Sequence, residues 1–284
     1  MDEKFVLNNG TTRFNLGNAL ALAKAAELAY KTFEEVRSVT QEEWGFSEVK
    51  WLEGPDDTQA YFVINDTTVV LAFRGTESTQ DWLTDAAVRL VDAVIGRTHR
   101  GFTSALDNLW GDIEANLLSA VVSGRTLWIT GHSLGGALAA LTASRINQQN
   151  IDINGVYTFG QPRVGDDVFA DHCADLFGYR LFRLVNDEDI VTRVPPRLSG
   201  YDHFGRTYLI DHKGTLHRGA SWWDRWLNQS ESASVRALDR YDELSGQYPD
   251  AIQDHSIVRY IKAIRKCLIA ETGVQNFKDY LDSI

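Results

Sequence analysis

Apolar runs alternate with polar, glycine-containing breaks along this chain, and their spacing switches repeatedly between helical and strand-like. From Leu16 to Arg37, Leu20, Ala23, Leu28 and Ala29 supply much of an apolar stripe in an alanine-rich segment, which predicts a surface helix. After a charged, tryptophan-containing connection, Tyr61 to Ile64 and Thr68 to Phe73 are β-rich runs separated by Asn65-Asp66-Thr67, a hairpin signature. A helix is expected from about Asp81, an irregular stretch over Gly96 to Phe102, and another helix from about Ser104 to Ser123. Thr126 to Thr130 is short and β-prone, and turns at Gly131 into the helical run Ala137-Leu138-Ala139-Ala140-Leu141. Gly155 to Phe159 and Tyr179 to Val185 read as further strands, each ended by glycine, proline or acidic residues. This alternation predicts an α/β layer architecture around a largely parallel sheet.

No repeat, low-complexity tract or proline-rich linker divides the chain, so its 284 residues are read as one domain. The stretch 218–250 differs in flavour, with Trp222, Trp223 and Trp226 close together, and reads as a helical insertion or cap. Composition changes the picture in three ways. A net charge of −11 argues against nucleic-acid binding by counterion release and against strong attraction to anionic membranes. Only Cys173 and Cys267 occur, which excludes a disulfide framework and leaves two free thiols as the default. The Met1-Asp2-Glu3-Lys4 start is acidic where a signal peptide is basic, and no apolar run is long enough to span a bilayer, so the chain reads as soluble and without a recognisable export signal.

The chemistry centres on Gly131-His132-Ser133-Leu134-Gly135, which satisfies G-x-S-x-G between an apolar strand and an alanine-rich helix. That context places Ser133 on a tight strand-to-helix turn, at a helix N-terminus whose unpaired N–H groups favour negative charge. A chance glycine-serine turn is the bland alternative. A serine nucleophile requires a base and an orienting acid, and in this architecture they follow in the order serine, acid, histidine. His99 and His132 precede the serine, which leaves His172, His203, His212, His217 and His255. His255 is favoured, because Asp254-His255-Ser256-Ile257 opens the final helical segment, whereas His203, His212 and His217 flank an apparent hairpin around Tyr208-Leu209-Ile210 and suit surface or structural roles. For the acid, Asp187, Glu188 and Asp189 all sit at the end of the Tyr179 to Val185 strand, where catalytic groups of open α/β sheets gather, and spacing does not separate them.

Six segments in a fixed order identify a family: Phe73-Arg74-Gly75-Thr76, Trp82-Leu83-Thr84-Asp85, His99-Arg100-Gly101-Phe102, Gly131 to Ala139, Phe159 to Gly165, and Asp189-Ile190-Val191 before Pro195-Pro196. Over about 60–262 the chain resembles the class 3 lipases, the group that includes the filamentous-fungal triacylglycerol lipases. The resemblance implies an α/β-hydrolase fold with a short helical lid, and serine carboxylic-ester hydrolysis of acylglycerols. It implies Ser133, Asp189 and His255 as the catalytic residues, with Tyr260 following the histidine and His203 outside the triad. It implies Thr76 and Leu134 as oxyanion donors through their backbone N–H groups. The lid would be the helix after Thr76, where Ser78-Thr79-Gln80-Asp81 resembles a capping box and Trp82, Leu83, Ala86 and Ala87 share a face; an ordinary packed surface helix is the alternative.

Phospholipase A1, monoacylglycerol lipase and short-chain or phenolic-acid esterase activities fit the same residues, and a silent lipase-like interaction protein is the rival of another class. Substrate is expected to be a lipid or other small ester, with transient contact at a lipid–water interface. No cofactor is expected: His172 and Cys173 form a lone pair of potential ligands, and the glycines cluster around the serine rather than a phosphate loop. Fungal members are secreted and disulfide-bonded, so two cysteines and no visible signal suggest a bacterial-type member, cytoplasmic or exported without a recognisable signal peptide.

Overall fold

The computed structural model describes residues 5–76, 89–121, 124–187, 189–219, 254–274 and 277. Helix α1 (Leu16–Leu28) opens it, with the Asn15 side chain accepting from the Asn18 N–H as N-cap. In place of one exposed helix to Arg37, the chain turns at Tyr30, and Thr32 starts helix α2 (Phe33–Ser38) through a capping box with Glu35. α1 is not a surface helix: nearly every residue from Leu16 to Leu28 is buried. Its alanines let the sheet approach closely enough for Thr130 Oγ1 to donate to Leu22 O at 3.1 Å and Tyr61 Oη to Ala25 O at 2.8 Å.

Among the described residues the central sheet has eight strands in the order β1 (Glu48–Glu53), β2 (Gln59–Ile64), β3 (Thr68–Phe73), β6 (Thr126–His132), β7 (Gly155–Phe159), β9 (Leu181–Asn186), β11 (Arg206–Ile210) and β12 (Leu216–Arg218). β3, β6, β7, β9 and β11 run parallel, β2 pairs antiparallel with both β1 and β3, β12 pairs antiparallel with β11, and β1 and β12 form the edges. β1 corrects the reading of that charged stretch as a mere connection. The Asn65-Asp66-Thr67 turn between β2 and β3 closes as expected, with Asn65 Oδ1 accepting from the Thr67 and Thr68 N–H groups at 3.0 and 2.9 Å.

Alternate strand residues face two separate apolar layers, both covered by helices, as a parallel sheet requires. Leu71, Phe73, Leu127 and Ile129 pack with α3 (Arg100–Val121) and α4 (Leu134–Gln148). Val70, Ala72, Trp128 and Tyr157 pack with α1 and α6 (Ile257–Thr272) on the other face.

Gly96 to Phe102, expected to be irregular, instead forms strand β5 (Arg97–His99) followed at once by α3. β5 joins β4 (Leu90–Asp92), β8 (Gly165–Asp166) and β10 (Tyr201–Asp202) in a second antiparallel sheet, four-stranded among the described residues. β4 is its near neighbour in sequence, but β8 is distant: the His99 N–H donates to Val164 O at 2.8 Å, and the Arg97 N–H to Asp166 Oδ1 at 3.0 Å. Asp166 also caps α5 (Asp167–Phe177) by accepting from the Phe169 N–H. The strand expected from Tyr179 begins at Leu181, after a single 3-10 turn. The proposed lid residues Trp82 and Leu83, and Trp222, Trp223 and Trp226 of the proposed insertion, lie outside the described residues.

Candidate active site

Sheet register brings the functional segments to one edge. Phe73 pairs with Gly131, His132 with Phe159, and Phe159 with Leu184, so the ends of β3, β6, β7 and β9 lie side by side at their carboxyl termini. Ligand sites in open α/β sheets form at this edge.

Between His132, the last residue of β6, and Leu134, the first of α4, Ser133 adopts φ 58° and ψ −128°. A non-glycine residue there stores backbone strain, which the surroundings must impose. They do so by close packing: a Cβ on Gly131 would lie 2.1 Å from Gly135 O, and one on Gly135 would lie 2.4 Å from Phe73 O. The turn is pinned by the Ser133 N–H donating to Phe159 O at 2.9 Å. Ser133 is buried, and among the described residues its Oγ has no hydrogen-bond partner. Leu134 stands at the first position of α4, where N–H groups lack intrahelical acceptors. Gly75 lies against Ser133 Cβ, which brings the Arg74–Thr76 segment alongside Ser133.

Asp189, His255 and Tyr260 complete the cluster. His255 Nδ1 lies 3.0 and 3.1 Å from the two Asp189 carboxylate oxygens, and Tyr260 Oη donates to Asp189 Oδ2 at 2.6 Å. The Val191 N–H supplies a further bond to Asp189 Oδ1 at 2.9 Å. Burial alone would raise the Asp189 carboxyl; the neighbouring His255, with its hydrogen bond and that of Tyr260, outweighs burial and holds it below the usual carboxylate range. A carboxylate accepts only, so Nδ1 donates to it, and in the neutral ring the lone pair falls on Nε2. Nε2 is buried with no hydrogen-bond partner among the described residues.

Two loops hold these groups. Asn186 Nδ2 donates to Asp254 O at 3.0 Å, tying the end of β9 to the residue before His255. After Asp189, the buried Arg163 guanidinium donates to Arg193 O and Pro195 O, and His203 Nε2 donates to Thr192 O at 2.7 Å. His203 is thus a structural group, outside the Ser133 cluster. His212 is exposed, 3.9 Å from Asp187, and His217 bonds Asp211 at 2.8 Å, so neither approaches Ser133's partners. His99 stacks on Phe102, and burial lowers its pKa to about 4. Cys173 and Cys267 are free, buried thiols.

Of the sequence-derived site residues, Asp189 and His255 meet directly and Ser133 occupies the strained elbow. Thr76 follows the glycine that touches it. Asp187 faces His212 instead of His255, and Glu188 lies outside the described residues. Sequence reasoning missed the Tyr260 hydroxyl as a partner of the acid, and missed Gly160, whose φ of +61° and lack of Cβ make room for the His255 ring and the Asp189 carboxylate. Phe159-Gly160-Gln161 was visible as a motif; its contact with residues far along the chain was not.

Residues 70–199 match the lipase (class 3) family model. A secreted mono- and diacylglycerol lipase of Fusarium solani is 33% identical over 152 residues, covering 50% of this chain and 44% of that protein. A lipase of Rhizomucor miehei is 35% identical over 169 residues, covering 54% and 45%. The chain therefore matches less than half the length of these curated relatives. Among solved structures, the triacylglyceride lipase of Rhizomucor miehei superposes with a TM-score of 0.61 at 26% identity, covering 70% of this chain and 82% of that one. These relatives are fungal, and they lend no support to a bacterial-type member. No helix among the described residues is long and apolar enough to cross a membrane. Residues 70–199, which carry the glycine-flanked Ser133 elbow and Asp189, are thus similar to the class 3 lipases, and the central sheet has the α/β-hydrolase arrangement.

Proposed function

We propose that this chain is a serine hydrolase of acylglycerol esters that works through an acyl-enzyme on Ser133. Ser133 Oγ attacks the ester carbonyl while His255 Nε2 accepts its proton, and Asp189 holds the imidazole in the tautomer that leaves Nε2 free. The backbone N–H groups of Thr76 and Leu134 stabilise the oxyanion. Collapse of the tetrahedral intermediate expels the alcohol, which takes the proton from His255, and water then releases the carboxylic acid by the same steps. The observation that carries this reading is the orientation of His255: its Nδ1 is bonded to Asp189, so the remaining nitrogen is a base without a competing partner among the described residues.

The names of the Fusarium and Rhizomucor relatives support an acylglycerol substrate, and the secreted Fusarium enzyme supports export over a cytoplasmic location. Transient contact with a lipid–water interface follows from such a substrate. Hydrolysis of p-nitrophenyl esters from acetyl to palmitoyl, with triolein and phosphatidylcholine alongside, tests the assignment. Triolein turnover with a long-chain maximum is the expected result. Turnover confined to short esters makes the chain an esterase, and phosphatidylcholine as the preferred substrate makes it a phospholipase. Ser133→Ala should lose at least about a thousandfold in kcat; retention of a tenth of the wild-type rate refutes the nucleophile.

A further inference from the structure

His255 is held at two points, and only one of them is its ring. Its carbonyl oxygen lies 2.5 Å from His132 Nε2, and His132 Nδ1 lies 2.8 Å from Tyr30 Oη. A carbonyl oxygen only accepts, so His132 Nε2 carries the hydrogen. His132 is buried, which pushes its pKa down to about 3 and keeps it neutral; Nδ1 is then a lone-pair acceptor, and the Tyr30 hydroxyl donates to it. The bonds run in one direction, from the phenol through the imidazole to the main chain of His255. The His132 and His255 rings also lie against each other, with centroids 4.5 Å apart and planes inclined by 33°.

Tyr30 sits in the turn after α1, and its hydroxyl reaches the segment on the other side of the nucleophile. A Cβ on Gly75 would lie 2.2 Å from Tyr30 Oη, 2.6 Å from His132 O and 3.2 Å from Ser133 Cβ. One phenol and one imidazole therefore connect the Arg74–Thr76 segment, the residue before Ser133 and the backbone of His255. Together with Asn186 on the Asp254 carbonyl, they clamp two consecutive carbonyls of the loop that delivers His255.

We propose that Tyr30 and His132 are positioning residues that set the separation of Ser133 Oγ from His255 Nε2 by clamping the His255 carbonyl, an inference that rests on the function proposed for those two groups. His132 lies next to the nucleophile in the chain, so its ring ties the base's backbone to the nucleophile's own strand. Tyr30 acts through His132 by fixing its tautomer and ring angle.

The test measures kcat and KM for p-nitrophenyl butyrate, with active sites counted by fluorophosphonate titration and stability by urea unfolding. His132→Phe keeps a ring and removes both bonds; kcat per titrated site should fall about 100-fold, the cost of misplacing a reacting group by about 1 Å, with KM within about twofold. Tyr30→Phe removes one hydroxyl at a half-buried position and should lower kcat about fivefold. Because Tyr30 acts through His132, the double variant should fall no further than His132→Phe alone. His132→Gln, whose amide can still donate to the carbonyl, should recover at least about threefold over His132→Phe. The low-field proton of the His255–Asp189 hydrogen bond should shift in both single variants.

Lowered stability with kcat per titrated site within about twofold of wild type for both single variants overturns the clamp, as does a double variant that falls by the product of the two singles. If His132→Phe does not fold, Tyr30→Phe decides on its own. Ser133→Ala separates the two levels: if it is inert while Tyr30→Phe and His132→Phe turn over normally, the clamp alone fails. If Ser133→Ala stays active, the proposed function fails and the clamp with it.

Discussion

Gly160→Ala puts a methyl group where the site has no room for one. Its Cβ would lie 2.7 Å from both Cε1 and Nδ1 of His255 and 2.8 Å from Asp189 Oδ2. Carbon contacts settle at about 3.5–4.0 Å, so the imidazole and carboxylate must each withdraw by roughly 1 Å. The hydrogen bonds between them, now 3.0 and 3.1 Å, would then open beyond hydrogen-bonding range. Two costs follow, and they are read separately. Alanine at φ +61° costs about 1–2 kcal/mol of backbone energy, seen as a lower urea midpoint with an unchanged slope. Misplacing the base by about 1 Å costs about 100-fold in kcat, or about 2.7 kcal/mol of barrier. The assay is p-nitrophenyl ester hydrolysis per fluorophosphonate-titrated site, beside urea unfolding followed by tryptophan fluorescence. A variant that loses the 1–2 kcal/mol yet keeps kcat within threefold refutes the reasoning, because the Asp189–His255 pair would then have moved without mattering.

Three further outcomes are expected. The Asp189 pKa is depressed in the folded state, so its contribution to stability is present above the unfolded carboxylate pKa of about 3.9 and is lost as pH falls through the lower folded value; Asp189→Asn should flatten the acid limb of the stability curve below about pH 4, measured by urea titration across pH. Asp166→Ala removes the α5 cap and the acceptor for both the Arg97 N–H and its guanidinium, and should cost about 2–3 kcal/mol in urea unfolding while leaving kcat per active site unchanged. Burial pushes Cys173 up to about 12 and Cys267 up to about 11, so an aromatic disulfide reagent at pH 8 should label neither thiol in the native protein and both in urea; native labelling within minutes contradicts the burial.

What could be read from sequence was local. The elbow needs only a strand, two glycines and a helix within a dozen residues, and the hairpin over Asn65–Thr67 needs only its own turn. What stayed hidden crosses the chain: Tyr30 meets His132 102 positions away, and Tyr260 meets Asp189 71 positions away. Spacing left Asp187, Glu188 and Asp189 equivalent; packing distinguishes Asp189 by placing it on His255. α1 misled because alanine suits an exposed helix and a tightly packed one equally, and its burial depends on strands that come later in the chain. β1 misled in the opposite direction, since Glu48, Lys50 and Glu53 look like loop composition but suit an edge strand, where charge discourages further pairing. β5, β8 and β10 are two or three residues long, too short for any periodicity, and exist only because each finds the others.

The docking of α6 on α1 sets a timetable. Ser133 and Asp189 follow parallel strands β6 and β9, but His255 and Tyr260 arrive with α6, which packs against α1. Proteins form from the N-terminus as they emerge during synthesis. A growing chain therefore holds Ser133 and Asp189 well before it holds His255, and the three are brought together only when α6 closes back onto α1.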